Sequence, residues 1–128
     1  MKPEIVKQDL KAEYFTPEGC WIYEVWGAES DPDVSVARAR VTPGVATQLH
    51  ALRGTAERYL IVEGSGRVEV GGGTPTEVGS GDLVYIPPGV SQRITNNGDI
   101  DLVFFCICTP PFRQDVYLSL DGSGGQGG

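Results

Sequence analysis

The chain has one histidine, His50, in the run Gln48-Leu-His50-Ala-Leu52, with Glu57 and Tyr59 shortly after it. An imidazole titrates near neutrality, so it serves as a general acid or base or as a metal ligand. A carboxyl held in an apolar interior has its pKa raised, which would suit Glu57 to proton transfer. Gln92 carries an amide that both donates and accepts, as a polar ligand requires. Cys20, Cys106 and Cys108 are odd in number, and Cys106 and Cys108 are too close along one strand for an ordinary bridge. Reduced thiols acting as small buried apolar groups are expected. Arg38 and Arg40 share one strand face, which could bind an anion if internal; a solvated face is the expectation.

Strands must position these groups. No stretch shows a sustained helical stripe, whereas short β-branched and aromatic runs recur between Gly, Pro, Asn and Asp. The chain reads as all-β, with strands expected at 21–26, 34–41, 48–52, 58–63, 67–70, 83–86, 91–95 and 102–108. Residues 50 and 52 alternate with 51, so His50 and Leu52 share a face, about 7 Å apart along the strand. If that face is internal, both line a cavity. Glu57 sits at the start of the next strand and Gln92 shares a face with Ile94, so three polar groups can meet from three strands. Gly64-Ser65-Gly66 reads as a hairpin connection, with 58–63 and 67–70 pairing antiparallel. Gly71 to Gly73, Gly79 to Asp82 and Asn96 to Asp99 read as further turns.

The 128 residues suit a single domain that buries roughly two thirds of its unfolded surface, so no disulfide or structural metal is needed. Ten basic against seventeen acidic side chains, a net charge of -7, argue against nucleic-acid and anionic membrane partners. The longest apolar run, Leu102 to Cys108, is far shorter than the about 20 residues of a membrane-spanning helix. The start, MKPEIVKQDL, lacks the apolar stretch of a secretory signal, and a cytoplasmic protein is expected. Residues 121–128, mostly Gly, Ser and Gln, read as a disordered tail.

Two segments share a plan that resembles the cupin family. The first family motif is G, five residues, H-x-H, three or four residues, E, six residues, G; Gly44, His50, Glu57 and Gly64 fit it. The second is G, five residues, P-x-G, two residues, H, three residues, N; Gly81, Pro87, Gly89 and Asn96 fit it. Two positions depart: Leu52 replaces the second His of H-x-H, and Gln92 replaces the His of the second motif. The resemblance spans roughly Val34 to Pro111. It implies a double-stranded β-helix, the jelly-roll cupin barrel, at 34–120, with N-terminal strands and an arm at 1–33, a site inside the barrel and a homodimer formed by sheet packing.

The family's usual site holds a divalent metal with three His and one Glu. Here the resemblance leaves His50, Glu57 and Gln92 as the metal set, which implies iron, manganese, nickel or zinc weakly held or absent, since an amide oxygen is a weak ligand and Leu52 none. His50 and Glu57 are the candidate catalytic pair, and Gln92, Leu52 and Tyr59 the candidate substrate contacts. Tyr59, Tyr85, Phe104 and Phe105 are by default core aromatics. The function that follows is a cupin binding a small polar metabolite, with metal-assisted or acid/base isomerase, epimerase, lyase or cyclase chemistry. Dioxygenase chemistry fits a single His poorly. The alternative is a non-catalytic ligand-binding or sensing module that has lost part of its metal site.

Overall fold

The computed structural model describes residues 2–121, so nearly all of the expected tail at 121–128 lies outside the described residues. Eleven strands form: β1 (Tyr14–Phe15), β2 (Trp21–Trp26), β3 (Ser35–Val41), β4 (His50–Leu52), β5 (Ala56–Glu63), β6 (Ser65–Val70), β7 (Thr76–Gly79), β8 (Leu83–Ile86), β9 (Gln92–Thr95), β10 (Leu102–Thr109) and β11 (Tyr117–Ser119). They make a six-stranded sheet, β1-β2-β3-β10-β5-β8, and a five-stranded sheet, β11-β4-β9-β6-β7. Neighbouring strands are antiparallel. Such a two-sheet jelly roll is the all-β architecture expected. No helix among the described residues is long and apolar enough to cross a membrane.

Period-two alternation decides what faces the space between the sheets. Along β8, Val84 and Ile86 are buried while Leu83 and Tyr85 are exposed. The core is closed by Val41, Ile61, Ile86, Ile94, Leu102 and Phe104, all essentially inaccessible. Glu57 and Tyr59 have the same phase along β5 as Ile61, and Gln92 the same phase along β9 as Ile94. Polar groups therefore occupy positions whose pattern is that of core residues. Tyr85, expected in the core, is instead half exposed in the outward phase, beneath the Arg58 guanidinium.

The hairpin expected across Gly64 to Gly66 does not form. β5 pairs with β10 and β8, and β6 with β7 and β9, so the connection carries the chain from one sheet to the other. The glycines serve close approach. Gly64 has φ +81°, and a Cβ there would lie 2.5 Å from the Asp101 carbonyl oxygen; a Cβ on Gly66 would lie 2.8 Å from both the Thr95 oxygen and a Leu102 methyl. Only glycine lets three backbones cross at this corner. Asn96 holds the neighbouring corner: buried, it donates to the Val41 and Ile100 carbonyls at 2.8 Å and accepts from Gly98 N–H at 2.9 Å.

The short β1, β7 and β11 were not expected, because two to four residues with little apolar alternation carry no readable period. β11 nevertheless pairs with β4, setting Tyr117 opposite Leu52 and Ser119 opposite His50. Arg38 and Arg40 are not in the cavity; both meet Glu13 on the other face, at 3.5 and 2.7 Å.

Candidate functional site

A cavity of about 530 Å³ lies between the sheets, and His50, Leu52, Glu57 and Tyr59 all line it. Gln92 stands behind Tyr59, whose hydroxyl donates to Gln92 Oε1; the backbone of Gln92 is in register with that of His50 across the β4/β9 pair. The five side chains named from the sequence are thus one group, with Gln92 reached through Tyr59.

His50 is buried, and its Nδ1 lies 2.8 Å from the Gln48 carbonyl oxygen. A carbonyl only accepts, so Nδ1 carries a proton, and in the neutral ring the lone pair is on Nε2. Nε2 faces Glu18 Oε2 at 3.9 Å, and the ring stacks on Tyr117 at 4.8 Å with planes 14° apart. Tyr117 is in turn held by its hydroxyl, which donates to Gln48 Oε1 at 2.7 Å.

Glu57 is 7% exposed and its Oε1 has no hydrogen-bond partner. Burial pushes its carboxyl up to about 7, repulsion from Glu18 adds to this, and the polar groups of Cys106, Gln92 and Cys108 partly oppose it. Gln92 Nε2, also buried, is a second orphan, a donor. Glu18 keeps a quarter of its side-chain surface in solvent, yet the cavity walls raise its pKa, against the pull of His50.

Cys106 and Cys108 turn out to lie on the inner face, opposite Tyr59 and Glu57 across the β5/β10 pair, and Cys20 joins them in the lining. All three are free thiols. Burial raises each, Cys20 to about 12, so they are protonated and poorly nucleophilic at neutral pH.

Glu18, Cys20 and Tyr117 were missed because they lie outside the two motifs. Glu18 belongs to a turn at Thr16 to Cys20, closed by Thr16 N–H on Cys20 O and docked by Gln48 N–H on Glu18 O, both at 2.9 Å. Nothing in a Thr-Pro-Glu-Gly turn signals a site; the docking is tertiary.

The matching family model is described as the cupin domain, and it covers residues 37–108. The chain belongs to the cupin family. This cupin is 34% identical over 104 residues to uncharacterized protein MJ1618 of Methanocaldococcus jannaschii, covering 80% of this chain and 82% of that one. It is also 34% identical over 71 residues to the oxalate-binding protein of Thermotoga maritima, covering 56% of this chain and 58% of the relative. Among solved structures, KdgF from Halomonas sp. superposes with a TM-score of 0.77 at 16% identity, over 89% of this chain and 98% of that one, a likeness of fold.

The divalent metal of the family needs converging anionic and imidazole donors. In this cupin Leu52 presents methyl groups at one ligand position, and Gln92 Oε1 already accepts from Tyr59. Among the described residues no three His, Cys, Asp or Glu side chains converge with ligand geometry. The donor set does not fit the family's metal.

Proposed function

We propose that this cupin binds a small polar organic molecule in the barrel and moves protons on it with Glu57 and His50. The observation that carries the reading is the unpartnered Oε1 of a buried Glu57 whose carboxyl titrates near 7, in the same cavity as the His50 imidazole. A base is most effective when its pKa lies near the working pH. Glu57 takes a proton from the carbon beside a carbonyl, the C–H electron pair forms the enediol double bond, the C=O π pair moves onto the carbonyl oxygen, and the proton returns to the neighbouring carbon or the opposite face. His50 Nε2 takes up the proton of the neighbouring hydroxyl and delivers it to the former carbonyl oxygen, with Glu18 beside it to steady the transient imidazolium. Leu52 and Tyr59 wall the ligand, and Gln92 acts through Tyr59, whose hydroxyl it holds from behind. Isomerase or epimerase chemistry follows directly, and lyase or cyclase steps begin with the same proton removal.

The test is hydrogen exchange. Hydroxy ketones and aldoses are incubated in deuterium oxide and their C–H signals followed by NMR. Exchange by the wild type that is lost in both Glu57→Gln and His50→Ala, with melting unchanged, supports the enzyme. Tight binding without exchange supports the second reading, a non-catalytic binding module, which Leu52 at a ligand position favours. Oxalate, named for the Thermotoga relative, is a poor candidate here, since its two charges would face Glu18 and Glu57.

We further propose a homodimer packed through the outer face around Leu83, Tyr85 and Val62, which are 57%, 51% and 41% exposed. Sedimentation equilibrium tests it. The three free thiols support a cytoplasmic setting.

A further inference from the structure

The two ends of the cavity differ. His50, Leu52 and Tyr59, all nearly inaccessible, close the inner end, whereas Tyr14 and Phe112, 46% and 39% exposed, stand at the mouth. Along β3 the inward phase reads Ser35, Ala37 and Ala39, so this wall carries nothing larger than a methyl or hydroxymethyl group until Val41 closes it. Ala37 lies in register between Glu24 and Cys106, and Ala39 between Ile22 and Phe104. Sheets pack about 10 Å apart when side chains fill both inner faces, so a strand of small inward residues leaves open space above it. Phe112 N–H donates to Ser35 Oγ at 2.8 Å, which seats residue 112 at the end of this wall.

Three aromatic rings of the lining are tied by their polar tips. The Tyr14 hydroxyl donates to Glu24 Oε2 at 2.8 Å, Trp26 Nε1 to Asp31 Oδ2 at 2.8 Å, and the Tyr117 hydroxyl to Gln48 Oε1 at 2.7 Å. Each tether satisfies the polar atom and fixes the ring, so what remains for a ligand is apolar ring surface held in place before binding. Arg113, at the mouth, is engaged by Asp115 at 3.3 Å. The free polar atom lies inward: His50 Nε2 has no hydrogen-bond partner among the described residues, with Glu18 3.9 Å away. A pocket of mostly apolar walls with a few polar groups at one end holds a molecule of the same polarity.

Resting on the proton-transfer reading of this cavity, we propose that its ligand is an aromatic hydroxy ketone, with the hydroxy-carbonyl head at His50 and a flat ring lying along the wall of Ala37 and Ala39 among the tethered aromatics. The ring buries apolar surface on both of its faces, which favours binding without any new polar contact. A sugar with the same head would set its remaining hydroxyls against these walls, where they lose hydrogen bonds to water and find no replacement. The alanines of β3 thus decide which hydroxy carbonyl compounds fit, and His50 what happens to them.

The test is calorimetric titration of α-hydroxyacetophenone and hydroxyacetone, which share the head and differ by the ring, with erythrose as the polyhydroxylated compound. The phenyl ketone is expected to bind about tenfold or more tighter than hydroxyacetone, and erythrose no tighter than hydroxyacetone. Ala37→Leu, which fills the wall, and Phe112→Ala, a change at an exposed position of the mouth, are each expected to weaken the phenyl ketone about fivefold or more and to leave hydroxyacetone within about twofold, with circular dichroism unchanged. Equal binding of the two ketones, a phenyl ketone indifferent to both substitutions, or one that does not bind at millimolar concentration overturns the aromatic selection. Deuterium exchange into the same compounds separates this inference from the reading beneath it. Exchange into hydroxyacetone or erythrose without binding of the phenyl ketone leaves proton transfer standing and the aromatic ligand refuted; binding of the phenyl ketone as expected, with exchange into none of the three, supports the aromatic site and refutes proton transfer.

Discussion

Glu57→Gln should change the pH dependence of folding in a direction and size that follow from the cavity. The folded carboxyl titrates near 7, against an ordinary value of 4.5, chiefly because it is buried. Below pH 4.5 the folded and unfolded chains both hold the proton, and the site costs nothing. Above it the unfolded chain ionises while the folded one stays neutral until about 7, so stability is lost as pH rises through that window. At about 1.4 kcal/mol per pH unit, the whole window comes to roughly 3 kcal/mol. Glutamine is isosteric and never ionises, so the variant escapes this loss. Urea unfolding of wild type and variant at pH 5, 6, 7 and 8 measures it: the difference between the two curves should shift toward the variant by about 2.5 kcal/mol across the series, since part of the loss has occurred by pH 5. Glu18→Gln removes the second cause of the raised pKa and should move the wild-type inflection to lower pH. Parallel stability curves for wild type and Glu57→Gln would refute the burial of an uncompensated carboxyl and, with it, the basis for a proton-transfer site.

Three other outcomes test the framework. Asn96→Ala leaves the Val41 and Ile100 carbonyls and the Gly98 N–H without their partner, and urea melts should show a loss of about 3 kcal/mol. Gly64→Ala forces a Cβ to within 2.5 Å of a backbone oxygen at positive φ; a loss of more than about 3 kcal/mol, or insoluble protein, is expected, whereas Gly72→Ala, with open space around it, should be milder. Anaerobic loading with iron, manganese, nickel or zinc, followed by dialysis and elemental analysis, should leave well under one metal per chain; a full equivalent that disappears in His50→Ala would show that the reduced donor set still holds one.

Local rules account for a good part of this cupin. Alternation along a strand has a period of two whatever the strand pairs with, so the shared face of His50 and Leu52, and that of Gln92 and Ile94, were legible from spacing alone. The spaced Gly, Pro and Asn residues of the two motifs carried the resemblance that implied the barrel, and each such position answers a local demand, a positive φ or a buried side-chain amide at a corner. Which strands become neighbours is not a local property. The Gly64 to Gly66 segment reads as a hairpin until the approach of Asp101, Thr95 and Leu102 turns it into a crossing between sheets. Whether Cys106 and Cys108 face in or out depended on the partner their strand found, β5, which sets them opposite Tyr59 and Glu57. Glu18 and Tyr117 reach His50 from segments remote in the chain, by a docked turn and a short edge strand. The electrostatics of the site therefore belong to the tertiary structure, because repulsion and desolvation depend on distances through space that residue spacing does not encode.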